Sequence, residues 1–160
     1  MKKANFCGKE IEVKSLAHDV VTCDDSARAK GTHASDEMKS LLCIASSENE
    51  EKFYVVHVPG DKNVNWKAVR KFIGCRDVRI APASALELFN TKHGTVSPIS
   101  SSKLSALPQL VSYDILEKDH VGSTTDELHE YVTLRPYDFL SLDSLDNGGL
   151  LGMGDFSKDK

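Results

Sequence analysis

The chain has 160 residues, 40% hydrophobic and 28% charged, with 10 Gly and 5 Pro. That is one domain's length with enough apolar residues for a core, and it excludes collagen-like, mucin-like and disordered classes. No stretch approaches the ~18 apolar residues of a membrane span and residues 1–10 lack a secretory apolar run, so a cytoplasmic protein without a membrane partner is expected. The net charge of -4 is segmental: residues 1–112 carry 16 Lys and Arg against 13 Asp and Glu, residues 113–160 only 4 against 11.

In chain order, residues 9–16 alternate loosely, and the polar run 22–30 reads as a helix that Thr22 caps and Gly31 closes. Residues 38–46 (MKSLLCIAS) and 53–58 (FYVVHV) read as two strands of a hairpin, with a turn at Pro59, Gly60 and Asp61 after the second. Asn65 is placed as an N-cap, Trp66, Val69, Phe72 and Ile73 follow at helical spacing, and Gly74 stands where a C-terminal glycine belongs. Lys67, Arg70 and Lys71 fall opposite that stripe and would face water. A short strand over 78–81, a short helix over 82–89 and a polar loop over 91–98 come next. Strands over 110–113 and 131–134 flank a small polar loop, Gly122 to Thr125, and Pro136 suits the first turn of a helix over 135–142. Residues 143–160 mix Gly, Asp and Lys with little periodicity and read as a flexible tail. The order predicts one α/β domain over residues 1–142 with a mixed sheet, without the strict alternation of a doubly wound fold.

Several chemistries lack their motifs. There is no phosphate-binding or dinucleotide-binding glycine loop and no nucleophile elbow. Six histidines are scattered without metal spacing, so neither metal nor cofactor is expected, and His57 reads as a strand histidine held by hydrogen bonds. Cys7, Cys23, Cys43 and Cys75 form no C-x-x-C pair and read as thiols packed like small hydrophobes. Three local features remain. Lys39 begins an otherwise apolar strand, the bend His93-Gly94-Thr95-Val96-Ser97-Pro98 would fix a tight backbone whose N–H groups point one way, and the Gly122 loop could line a pocket.

Taken together, His18, Thr22, Gly31, Lys39, the phrase YVVHVPGDKNVNWKAVRKFIG, the APASALELF stretch, GTVSP, Asp114 and the ending YVTLRPYDFL resemble the YbaK / prolyl-tRNA synthetase editing-domain family. The likeness covers about residues 15–142. It implies a compact α/β fold around a curved, barrel-like mixed sheet flanked by helices, and hydrolysis of mischarged aminoacyl-tRNA in trans, Cys- or Ala-tRNA of the proline type above all. Aminoacyl-tRNA is then the partner, with an aminoacyl-tRNA synthetase as a further one.

Carried over by position, Lys39 would hold the substrate's 3' end or carbonyl, and the loop Gly94, Thr95, Val96, Ser97 and Pro98 would hold the terminal adenosine and the ester. His18, Thr22, Ser40, Asp114, Gly122 and Ser123 would complete the substrate pocket. Ser40 stands where many members carry Thr or Asn, and Tyr131 where the last strand is commonly polar. An aminoacyl ester is already activated, so a placed water, oxyanion stabilisation and exclusion of the wrong side chain suffice without a covalent nucleophile. Lys67, Arg70 and Lys71 are the expected phosphate contacts. A non-catalytic tRNA-binding or synthetase-associated module with the same fold is the second reading; Lys39 and an intact GTVSP favour the first.

Overall fold

A nine-residue apolar strand and its hairpin partner organise the chain. The computed structural model describes residues 1–99 and 102–160. Its first strands, β1 (Lys3–Phe6) and β2 (Lys9–Glu12), form an antiparallel hairpin, with Cys7 and Gly8 at φ 50° and 84° in the turn. Next come β3 (Lys14–Ser15) and α1 (Cys23–Lys30). Thr22 caps α1 by accepting from the Asp25 N–H at 3.0 Å, and Gly31, at φ 73°, closes it, as the sequence predicts.

The central hairpin, β4 (Met38–Ser46) and β5 (Glu51–Pro59), pairs antiparallel along its full length. A short β6 (Lys62–Val64) leads into α2 (Trp66–Ile73), where Asn65 accepts from the Ala68 N–H and Gly74 takes φ 76°. Then follow β7 (Asp77–Ile80), α3 (Ala83–Leu88), α4 (Ser102–Ser105), β8 (Gln109–Ser112), α5 (Tyr113–Leu116), β9 (Val121–Thr124) and β10 (Glu130–Leu134). Residues Pro136–Ser141 form a 3-10 helix, tighter than the α-helix expected there.

The main sheet is mixed, in the order β11 (Leu151–Gly154), β8, β5, β4 and β7, with β8 parallel to β5. A second sheet runs β3-β10-β9. On one face of the main sheet, Cys43, Ala45, Val56 and Val58 pack with Val69 of α2 and Phe156. On the other, Leu42 and Val55 pack with Ala85, Val96 and Leu104. The strands at 38–46 and 51–59 therefore bury both faces, which explains their near-continuous apolar run.

Two expectations fail. Of the segment Gly122 to Thr125, expected as a loop, all but Thr125 is strand and belongs to β9, paired with β10. The segment 143–160 is not a loose tail: β11 (Leu151–Gly154) adds to the main sheet parallel to β8, and β12 (Ser157–Asp159) pairs with β6. Gly149, Gly152 and Gly154 allow close packing rather than slack. A Cβ on Gly152 would come within 2.7 Å of both Leu110 and the Phe72 ring, and Phe72 in turn stacks edge-on against the buried Phe156 at 5.3 Å.

Candidate active site

β7 pairs with β4 at residues 43–46 and the Ala81 N–H reaches the Leu42 carbonyl at 2.9 Å, so the edge of β4 from Met38 to Leu41 is left without a β7 partner. A cavity of about 480 Å³ lies along that edge. The start of α1 (Thr22, Cys23, Asp24, Ser26), the bend at His93, Gly94 and Val96, strand β9 and Tyr131 complete its wall. Its volume falls in the range of small-molecule sites. Because consecutive strand residues point to opposite faces, Lys39 and Ser40 can both reach a cavity only where it straddles the strand edge, as this one does.

The Lys39 ammonium donates to the backbone carbonyl of Lys62. Burial, then the nearby Lys160, lower its pKa from the ordinary lysine value, and Cys23, Asp24 and Asp61 work against that shift. Lys160 itself lines the cavity, so the C-terminal segment belongs to the site.

The bend is held from several sides. Gly94 has φ 89°, and a Cβ there would meet Leu128 at 2.9 Å and Val21 at 3.0 Å, so both its conformation and its surroundings call for glycine. Its carbonyl accepts from Thr124 Oγ1 at 2.9 Å, which ties the bend to β9. Thr95 and Ser97 are buried and do not line the cavity. The Thr95 N–H donates to the Lys92 carbonyl at 3.0 Å, and Ser97 Oγ accepts from the Ile99 N–H at 3.2 Å. The expectation that successive N–H groups of this bend point into the site therefore fails at Thr95, whose donor closes the turn instead.

Of the other residues singled out from the sequence, Thr22, Ser40, Gly122 and Ser123 line the cavity with Lys39, Gly94 and Val96. His18 is exposed and outside it, because the chain there runs over the surface before α1 begins. Pro98 is buried beyond the bend. Asp114 lies outside as well, in α5, where its carboxylate holds Lys62 at 3.2 Å and accepts from Ser157 Oγ at 2.5 Å. It anchors the β6 and β12 strands, and with them the carbonyl that holds Lys39.

Burial pushes the Asp114 pKa up, but hydrogen bonds from Ser157, Ser112 and Lys62 overcome it, and the group ends below its ordinary value of 3.8. A depressed folded-state pKa contributes stability that is present above the unfolded value and lost as pH falls through the folded one. Asp114→Asn is therefore expected to lower the melting temperature at pH 7 and to flatten its decline below about pH 4, as thermal melts at both pH values would show.

Sequence reasoning missed Glu37. It is 3% exposed, lines the cavity, accepts from Ser26 Oγ at 2.7 Å and pairs with the nearly buried Lys30. Lys30 also sits over the Tyr131 ring at 4.5 Å. A Cβ on Gly122 would fall 1.8 Å from Glu37 Oε2, so glycine in β9 is the space this ion pair occupies. Neither partner has a sequence signal, since a carboxylate next to an apolar strand ordinarily reads as its solvated end. Cys23 also lines the cavity, but burial first, and then Glu37, push its thiol up to about 11, so it is a neutral thiol at neutral pH. Among the described residues no group of three or more His, Cys, Asp or Glu side chains could hold a metal ion, and no helix is long and apolar enough to cross a membrane.

Residues 17–142 match the family model of the aminoacyl-tRNA editing domain. The chain belongs to that family. The editing domain is similar to the proline–tRNA ligase of Limosilactobacillus fermentum, 32% identical over 95 residues, which are 58% of this chain and 17% of that enzyme. It thus spans only a small part of the ligase's length. Among solved structures, it resembles the hypothetical protein APE2540 with a TM-score of 0.78 and 21% identity, covering 95% of this chain and 94% of the other. A candidate trans-editing enzyme for prolyl tRNA synthetase superposes with a TM-score of 0.72 and 18% identity over 92% of this chain and 87% of that one. These likenesses establish the mixed α/β fold, and with the family match they bear out the resemblance read from the sequence.

Proposed function

We propose that this editing domain is an aminoacyl-tRNA deacylase acting in trans, which hydrolyses the ester of mischarged tRNA, with Cys- or Ala-tRNA of the proline type as substrate. The observation that carries the reading is that Lys39 and the bend residues His93, Gly94 and Val96 wall one cavity. The likeness to a proline–tRNA ligase supports the choice of tRNA.

In this reading the bend cradles the terminal adenosine while Lys39 meets the ester carbonyl. As water attacks, negative charge develops on that oxygen, and a half-buried ammonium stabilises it more than it stabilises the neutral ester. Cys23 and Ser26 take no covalent part: the first is held as a thiol and the second spends its proton on Glu37. The water is activated by the substrate's own free ribose hydroxyl, or by its thiol where the amino acid is cysteine.

Incubating the protein with Cys-tRNA and Ala-tRNA of the proline type and following release of the amino acid tests this. Hydrolysis of either above the rate in buffer is the expected result; binding without hydrolysis of both would assign the chain to a non-catalytic tRNA-binding module.

The tRNA body is held by the α2 face that carries Lys67, Arg70 and Lys71. All three are exposed, and none lines the cavity. Replacing the three with Glu should weaken tRNA binding at least tenfold at low salt while the protein stays folded, with a small drop in melting temperature from the lost Arg70 bond to the Val78 carbonyl, and should reduce the slope of log affinity against log salt. Affinity measured across a salt series checks both.

A further inference from the structure

The buried hydrogen-bond chain beneath Ser40 has a fixed direction. Gln109 of β8 is 2% exposed, and its Nε2 donates to the carbonyls of Leu104 at 3.0 Å and Leu107 at 2.8 Å. Only the amide nitrogen can meet two carbonyls, so Oε1 is the end turned to His57 Nε2, at 2.7 Å. That oxygen only accepts, which requires a proton on Nε2. In a neutral ring Nδ1 is then a bare acceptor. Nδ1 lies 2.7 Å from Ser40 Oγ, so the Ser40 hydroxyl donates to it. Register supports the chain, because Ser40 and His57 are direct partners across β4 and β5. The ring is fully buried and packs at 5.1 Å against Phe139.

We propose that His57 and Gln109 are positioning residues that lock the Ser40 hydroxyl inward, so that Ser40 presents the cavity with an obligate hydrogen-bond acceptor and receives an O–H or N–H donor there. The role in turnover rests on the reading of the cavity as the ester site. The donor belongs either to the aminoacyl ester or to the attacking water, and both offer the same chemistry to the oxygen.

A serine, a histidine and a third polar group in line also describe an activated nucleophile. Two features speak against that role. The third group is a neutral amide, where a carboxylate would stabilise the imidazolium. Burial also lowers the His57 pKa to about 4, and the groups facing the ring, Ser40 from β4, Gln109 from β8 and Phe139 from the 3-10 helix, carry no charge. A proton moved from Ser40 to His57 would leave an alkoxide beside a fully buried imidazolium, with no carboxylate on the far ring nitrogen to stabilise it. Ser40 therefore keeps its proton and acts through its lone pairs.

The experiment has two parts. Nitrogen-15 NMR of the wild-type protein at neutral pH should find His57 neutral, with the proton on Nε2; a proton on Nδ1 overturns the proposal, whatever the protein hydrolyses. Ser40→Ala and Ser40→Thr are then compared in deacylation, and in binding of a non-hydrolysable amide analogue of aminoacyl-adenosine. Loss of the acceptor should cost about tenfold, and threonine, which keeps the hydroxyl, should restore most of it. A loss in analogue affinity and KM assigns the donor to the substrate, and a loss in kcat alone assigns it to water. If Ser40→Ala changes neither, or if an acyl adduct accumulates on Ser40, the acceptor role is wrong. Absence of hydrolysis by the wild type would count against the deacylase reading alone, since the tautomer and the analogue affinity remain measurable.

Discussion

Lys39→Ala is expected to lower the rate of ester hydrolysis about a hundredfold, the effect of removing one donor from the place where oxyanion charge develops. The loss should fall on kcat more than on KM, because the neutral ester gains little from the ammonium that its transition state gains fully. The fold should tolerate the change. The Lys39 ammonium is hydrogen-bonded to one backbone carbonyl, that of Lys62, and losing such a bond costs roughly 1 kcal/mol. Single-turnover deacylation of the mutant beside a thermal melt separates the two effects. An unchanged rate would remove Lys39 from the chemistry.

The second large effect is on stability. Lys30→Met should destabilise the protein by about 3–5 kcal/mol, since it strands the Glu37 carboxylate in a site where its side chain is only 4% exposed. Combining it with Glu37→Leu should recover much of that loss, because a buried ion pair replaced by apolar groups of similar volume is often near neutral. Urea denaturation of the two single mutants and the double mutant measures the coupling. Gly122→Ala should show a similar loss by another route, its methyl group occupying the position of Glu37 Oε2. Since Glu37 lines the cavity, the same mutants are expected to reshape the pocket as well as weaken the fold.

Local rules made much of the fold legible. The Thr22 and Asn65 caps, the Gly31 and Gly74 stops and the apolar runs of β4 and β5 depend on neighbouring residues alone, and the structure places each where the sequence puts it. The misread parts depend on distant partners. Gly122 belongs in a strand because Glu37 and Lys30 fill the space its side chain would take, and Gly152 because Phe72 crosses above it. Composition turned both glycines into loops. At the site, Lys39 and the glycine bend were visible as local oddities, an amine opening an apolar strand and a glycine near a proline. Asp114 was misplaced because an acidic residue after a strand looks the same whether it faces a pocket or, as here, pins Lys62 and Ser157. The direction of the hydrogen bond at Ser40 could not be read at all, since it is set by two carbonyls at residues 104 and 107 acting through Gln109 and His57.

In the proposed reaction, the Lys39 ammonium and the bend around Gly94 meet one ester in one cavity. A crystal structure of the protein with a non-hydrolysable amide analogue of alanyl-adenosine tests it most directly. The amide carbonyl should lie within hydrogen-bond distance of Lys39 Nζ, with the adenosine against His93, Gly94 and Val96. An analogue seated outside the cavity, or bound there with its carbonyl turned away from Lys39, would contradict it.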